Sequence, residues 1–142
     1  MIWLFKIFGF ALVIFTGYSL GFLKSSNLNM RKKKLINIKN AIIDLKQRIR
    51  LSRIEIDKLI EVSFKNVSDI YSNLDKCDCE IVKNFFKDIG MSDAKSEYER
   101  CELYISRLNT QIAEAEKNYT ELGKLYKNIG FLSGVFICIL LL

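Results

Sequence analysis

Residues 98–129 read YERCELYISRLNTQIAEAEKNYTELGKLYKNI, and this stretch decides the fold. Tyr98, Cys101, Ile105, Leu108, Ile112, Ala115, Tyr119, Leu122 and Tyr126 recur three and four residues apart without a break. That spacing returns apolar side chains to one helical face over four heptads. The phase continues through Ile129 into the apolar stretch that ends the chain, so one helix is expected from about Asp93 to the C-terminus. Gly123 interrupts it at a cost of about 1 kcal/mol relative to alanine, too little to break a helix. A seam needs a second stripe to bury against. Leu35, Ile38, Ile42, Leu45 and Ile49 supply one, on a helix from about Asn29 to Leu51. The seam fits that stripe in an antiparallel intramolecular bundle, or a second copy of the chain in an intermolecular coiled coil. The complementary stripe in the same chain favours the bundle.

Between the two stripes, Ser52 with Glu55 three residues on forms a capping-box pattern that starts a new helix. Ile60, Val62, Phe64, Ile70, Leu74, Ile81, Val82, Phe85, Phe86 and Ile89 suit two or three short helices that cap the bundle. Gly90 reads as a C-terminal helix stop, with Ser92 or Asp93 capping the helix that follows.

The outer ends are of a different character. Met1 to Leu23 carries Lys6 as its one charge, and its 23 residues rise about 35 Å as a helix, enough for a bilayer core. Thr16-Gly17-Tyr18-Ser19 offers no clear signal-peptidase site, so an uncleaved anchor is expected rather than a signal peptide. Ile129 to Leu142 gives about 21 Å, a short or partial crossing unless it extends back past Lys127, or else a buried apolar tail. Gly17 and Gly21, and Gly130 and Gly134, are four apart. Such pairs let helix backbones approach closely, although the spacing also arises by chance in glycine-rich spans. The expected division is residues 1–23 as an N-terminal transmembrane helix, 24–128 as a cytoplasmic helical domain and 129–142 as a C-terminal membrane segment. Together these make an all-α, membrane-anchored antiparallel bundle with a small helical cap.

The chain has 142 residues, a net charge of +6, no proline and no histidine. Its charge is segregated: residues 24–55 hold ten basic and two acidic side chains, residues 56–128 eleven basic and fourteen acidic. Apart from Lys6, every cation lies on the middle segment, which puts that segment in the cytoplasm by the positive-inside rule. Arg31, Lys32, Lys33 and Lys34, close to the first span, are the candidate lipid-headgroup residues, since anionic headgroups attract each nearby cation by about 1 kcal/mol. No aromatic residue lies between Phe22 and Phe64, so the stacking platform of a nucleic-acid site is missing.

Catalytic signatures are lacking as well. There is no Gly-rich phosphate loop, and no histidine to serve a cysteine nucleophile as base. Cys77-Asp78-Cys79 with Cys101 offers three thiols in C-x-C spacing without an obvious fourth ligand, so neither metal nor cofactor is expected. Function is expected through contact. The cap carries Asp69, Asp75, Asp78, Glu80 and Asp88 beside Tyr71, Phe85 and Phe86. Asp75, Asp78, Glu80, Phe85 and Phe86 are the candidate partner-binding residues, because aromatic anchors ringed by charge build transient interfaces. The other reading of Phe85 and Phe86 is cap core; as neighbours they cannot both point inward well, and one is expected at the surface.

The pattern resembles the stage III sporulation protein AB family of endospore-forming bacteria. The resemblance rests on Thr16-Gly17-Tyr18, on Arg31-Lys32-Lys33-Lys34-Leu35, on Phe86-Lys87-Asp88-Ile89-Gly90, and most specifically on residues 126–134, YKNIGFLSG, leading into an apolar terminus. It implies a component of the channel between mother cell and forespore, in the outer forespore membrane, with its central domain in the mother-cell cytoplasm. That domain would be similar to the helical domain of type II secretion F-type platform proteins, which link a membrane ring to a cytoplasmic ATPase. Expected partners are membrane lipid, a secretion-type ATPase, other channel components and further copies of the chain. The alternative is an unrelated membrane-anchored coiled-coil scaffold or sensor-input protein.

Overall fold

The structure, a computed structural model, describes residues 1–51 and 55–142. The described residues form four helices and no strand: α1 (Ile2–Leu51), α2 (Ile56–Ser63), α3 (Lys76–Asp88) and α4 (Ala94–Leu141). The all-α reading holds. So does the single long C-terminal helix, which passes Gly123 unbroken. At the N-terminus the apolar span and the first stripe are one helix of 50 residues. No proline interrupts residues 24–30, so the helix continues through their serines and asparagines. The Ser52 capping box lies outside the described residues; α2 begins after Glu55.

The chain divides into two compact units, Met1–Met30 with Ala115–Leu142, and Arg31–Glu114. In the second unit the C-terminal part of α1 and the N-terminal part of α4 run antiparallel, with Lys46 reaching Glu102 at 3.6 Å. Leu35, Ile38, Ile42, Leu45 and Ile49 are all buried, as the stripe requires. Each such side chain contributes roughly 1.5–3 kcal/mol of burial. From α4 come Cys101, Tyr104 and Leu108. Tyr104 is buried while Ile105 is only half-buried, which shifts the expected seam. The shift follows from α3, whose Phe85 ring packs 5.3 Å from Tyr104 and widens the buried face of α4.

Helices α2 and α3 form the cap. On α3, Asp78, Val82 and Phe85 share the inward face at 4-3 spacing, and Ile89, just past its end, is buried as well. Phe64 at the end of α2 closes an aromatic cluster, 5.0 Å from Phe86 and 6.2 Å from Phe85. Val62, expected among the cap core, is exposed, and Leu59 is buried instead. Gly90 takes φ +86° just after α3, a left-handed stop that glycine adopts without a steric penalty. Asp93 caps α4: its main-chain carbonyl accepts the Glu97 N–H at 3.0 Å and its carboxylate the Ser96 hydroxyl at 2.5 Å. The Ser96 hydrogen bond holds the Asp93 carboxyl below its ordinary value.

In the first unit, α1 and α4 meet on glycine. A Cβ added at Gly17 would fall 2.5 Å from the Gly130 carbonyl oxygen, and one at Gly21 2.5 Å from that of Tyr126. Gly134 lies against Ile14, and Cys138 Sγ reaches the Phe10 carbonyl at 3.7 Å. The glycine spacings are thus the packing surface between the two helices, not chance. Gly123 is buried against Ser25, while Leu122, expected in the seam, is exposed. Most other apolar side chains here face outward, Trp3, Phe8, Phe15, Phe22, Phe136 and Leu140 among them. Helices α1 and α4 are each long and apolar enough to cross a membrane.

Candidate functional site

The second unit holds a buried charge pair between α1 and α3. The Arg31 guanidinium donates from Nε to Asp78 Oδ2 at 2.7 Å and from a terminal nitrogen to Oδ1 at 3.1 Å. This two-point geometry is the strong form of the interaction. Both residues are buried, Asp78 completely. The hydrogen bond to Asp78 raises the Arg31 pKa above its ordinary value, against the opposing effect of burial. Asp75 Oδ2 at 3.4 Å, Gln111 Oε1 at 3.4 Å and Glu114 Oε1 at 3.9 Å complete the surroundings of the guanidinium. Asp78 also accepts the Asp75 main-chain N–H at 3.2 Å, so the carboxylate that holds Arg31 also caps the start of α3.

These contacts correct several sequence assignments. Arg31 is not offered to lipid headgroups, because Asp78 draws it inward. Lys34 donates to the Ser68 carbonyl and pins the loop between α2 and α3. Of the basic run, Lys33 is exposed and Lys32 half-buried. Asp78 and Phe85 are core, not surface, and Phe86 is half-buried with its ring 5.5 Å from that of Phe85. The tyrosine hydroxyl of Tyr104 donates to Asp88 at 3.0 Å, which engages Asp88 within the fold. Of the cap's acidic and aromatic residues, Asp69, Asp75, Glu80, Asp88 and Tyr71 are exposed, with Lys83 Nζ 5.8 Å from the Tyr71 ring.

A second buried carboxylate escaped the sequence reading. Glu97 is fully buried; its Oε1 accepts the Ser92 N–H at 2.9 Å and an Arg100 N–H at 2.7 Å, while Oε2 has no partner. Arg100 also donates to the Asp88 carbonyl at 2.6 Å, so Glu97 and Arg100 clasp the turn from α3 into α4. The signal for all three buried charges was phase. Arg31 stands four residues before Leu35, Asp78 four before Val82 and Glu97 four before Cys101, each in register with a buried stripe. Among the described residues no three Cys, Asp or Glu side chains converge as a metal site, and Cys77 is exposed while Cys101 is buried.

These features define a class: an all-α protein with two long helices, each apolar enough to cross a membrane, and a helical unit of residues 31–114 pinned by a buried arginine–aspartate pair. The stage III sporulation protein AB profile matches residues 61–142, from within α2 to the end of α4. The chain belongs to that family. A curated relative, stage III sporulation protein AB of Bacillus subtilis (strain 168), is 33% identical over 82 residues, covering 58% of this chain and 47% of the relative. The match thus spans about half the relative's length. The segments Phe86–Gly90 and 126–134 lie within the matched residues; Thr16–Tyr18 and Arg31–Leu35 lie outside them. No solved structure matches the chain.

Proposed function

We propose that this chain acts in sporulation as a platform or adaptor of the channel between mother cell and forespore, coupling a membrane assembly to a cytoplasmic ATPase through contact rather than catalysis. The observation that carries the reading is the pair of long helices, α1 and α4, each apolar enough to cross a membrane. The sequence between their apolar ends forms a helical unit of its own, built on buried apolar side chains of α1, α3 and α4. Family membership supports the sporulation role, and the cation-rich middle segment supports a cytoplasmic head with both chain ends across the membrane. In this reading the ATPase meets the cap on its outward face, at Asp75, Glu80 and Tyr71.

The test is a pull-down of the secretion-type ATPase of the same organism by the full-length protein, at low and high salt. The variant is Asp75→Asn with Glu80→Lys, which leaves the Arg31–Asp78 pair untouched and keeps a residue that can cap α3 at position 75; far-UV circular dichroism checks that it is folded. The reading expects lower recovery by the variant at low salt and a smaller difference at high salt, since exposed charges are screened beyond a Debye length of about 8 Å. Equal recovery in every lane removes the contact from this face. Failure of the wild type to recover the ATPase removes the coupling role.

A further inference from the structure

The first unit contains a cleft beside the point where Gly123 of α4 meets Ser25 of α1. Its volume is about 150 Å³, and Ser25, Tyr119, Thr120, Gly123, Lys124 and Lys127 line it. Gly123 keeps it open: a Cβ there would come 2.8 Å from the Ser25 Oγ. Lys124 and Lys127 are three apart on α4 and so stand one above the other on the same side of the helix. The Thr120 hydroxyl is turned back on its own helix, donating toward the Glu116 and Lys117 carbonyls at 3.0 and 3.1 Å. Two ammonium groups, the Ser25 hydroxyl and the Tyr119 phenol are therefore the donors among the lining side chains. No described carboxylate lines it.

Its level along α1 is also informative. The apolar run ends at Leu23, two residues before Ser25. From Ile2 to Leu23 a helix rises about 33 Å, close to the roughly 30 Å of a bilayer core. Lys127 Nζ sits 5.3 Å from the Phe22 ring centre and Lys24 Nζ 5.9 Å from that of Tyr126. Ammonium groups paired with aromatic rings mark the zone where hydrocarbon gives way to headgroups.

We propose that this cleft binds the phosphate of an anionic phospholipid, held between Lys124 and Lys127 with the Ser25 hydroxyl as a third donor. The inference rests on the membrane-spanning reading of α1 and α4. It assigns lipid contact to α4, away from the Arg31–Lys34 run.

The full-length protein in a neutral detergent is titrated with phosphatidylglycerol, phosphatidylcholine or inorganic phosphate, and bound species are counted by native mass spectrometry. One phosphatidylglycerol per chain is expected, with phosphatidylcholine clearly weaker. Lys124→Gln with Lys127→Gln should raise the Kd for phosphatidylglycerol about thirty-fold, from roughly five-fold per cation. Lys33→Gln with Lys39→Gln, which removes the same charge outside the cleft, should leave it unchanged. Far-UV circular dichroism checks that both variants keep wild-type helicity. Equal weakening by the two double variants overturns the site in favour of diffuse attraction. Displacement of the lipid by equimolar inorganic phosphate overturns the lipid source in favour of a free anion. Insertion into vesicles is scored separately by resistance to alkaline extraction. A chain that inserts without preferring phosphatidylglycerol defeats the site alone, and one that does not insert defeats the spanning reading and the site together.

Discussion

Removing either partner of the Arg31–Asp78 pair should destabilise the protein severely, but not equally. Leaving one buried charge unpaired costs about 3–5 kcal/mol. In Asp78→Ala the guanidinium keeps three fall-back acceptors, Asp75, Gln111 and Glu114, at 3.4–3.9 Å. The cost should therefore sit near the low end, about 3 kcal/mol. In Arg31→Met the Asp78 carboxylate stays fully buried with the Asp75 N–H at 3.2 Å as its remaining partner. That variant belongs near the high end, about 5 kcal/mol. The double variant Arg31→Met, Asp78→Leu should recover most of the loss, because well-packed apolar replacements of a buried pair are often neutral. Thermal unfolding of the full-length protein in mild detergent, followed by far-UV circular dichroism, reads these costs at roughly 3 °C per kcal/mol for a chain of this size. The midpoint should fall by roughly 10 °C for Asp78→Ala and roughly 15 °C for Arg31→Met. An Arg31→Met midpoint above that of Asp78→Ala, or a double variant no better than the worse single one, would refute the reasoning.

Other outcomes follow from the packing. Leu108→Ala should cost about 2–5 kcal/mol by opening a cavity, while Leu103→Ala, on the exposed face of the same helix, should stay within about 0.5 kcal/mol; the same unfolding assay compares them. Gly130→Leu should separate α1 from α4 where Gly17 backs onto it, costing about 1–3 kcal/mol, measured as earlier loss of helicity on titration with sodium dodecyl sulfate. Burial pushes the Cys101 thiol up to about 11 from its model-compound value of 9.0. The unfolded thiol then ionises before the folded one, so stability is complete below pH 9 and falls as pH rises toward 11, by about 2–3 kcal/mol. Cys101→Ala should flatten that slope, leaving a smaller one from Tyr104, whose pKa burial also raises.

Helix periodicity carried most of the fold. The stripe from Leu35 to Ile49 and the single helix past Gly123 could be read because both depend on local spacing and on the absence of proline. What escaped depended on three-dimensional neighbours. Arg31 was grouped with Lys32, Lys33 and Lys34 by charge, although its phase placed it with Leu35. Asp78 looked like surface because a lone aspartate usually is; its burial becomes tolerable only with Arg31 of a distant helix beside it. Tyr104 displaced Ile105 because α3 packs on α4 from a second side, which a two-stripe reading cannot contain. Gly123, read as a weak point, is where α4 meets Ser25.

The double duty of Asp78 bears on how the head is assembled. Alone, the 13 residues of α3 are at the lower limit of helices that persist in water. Its start depends on a carboxylate that is wholly desolvated once the helix docks, and Arg31 of α1 compensates that desolvation. Winding of α3 and its landing on α1 are thereby tied into one cooperative event. The outward face of the cap is thus set by the pair that closes its inward face.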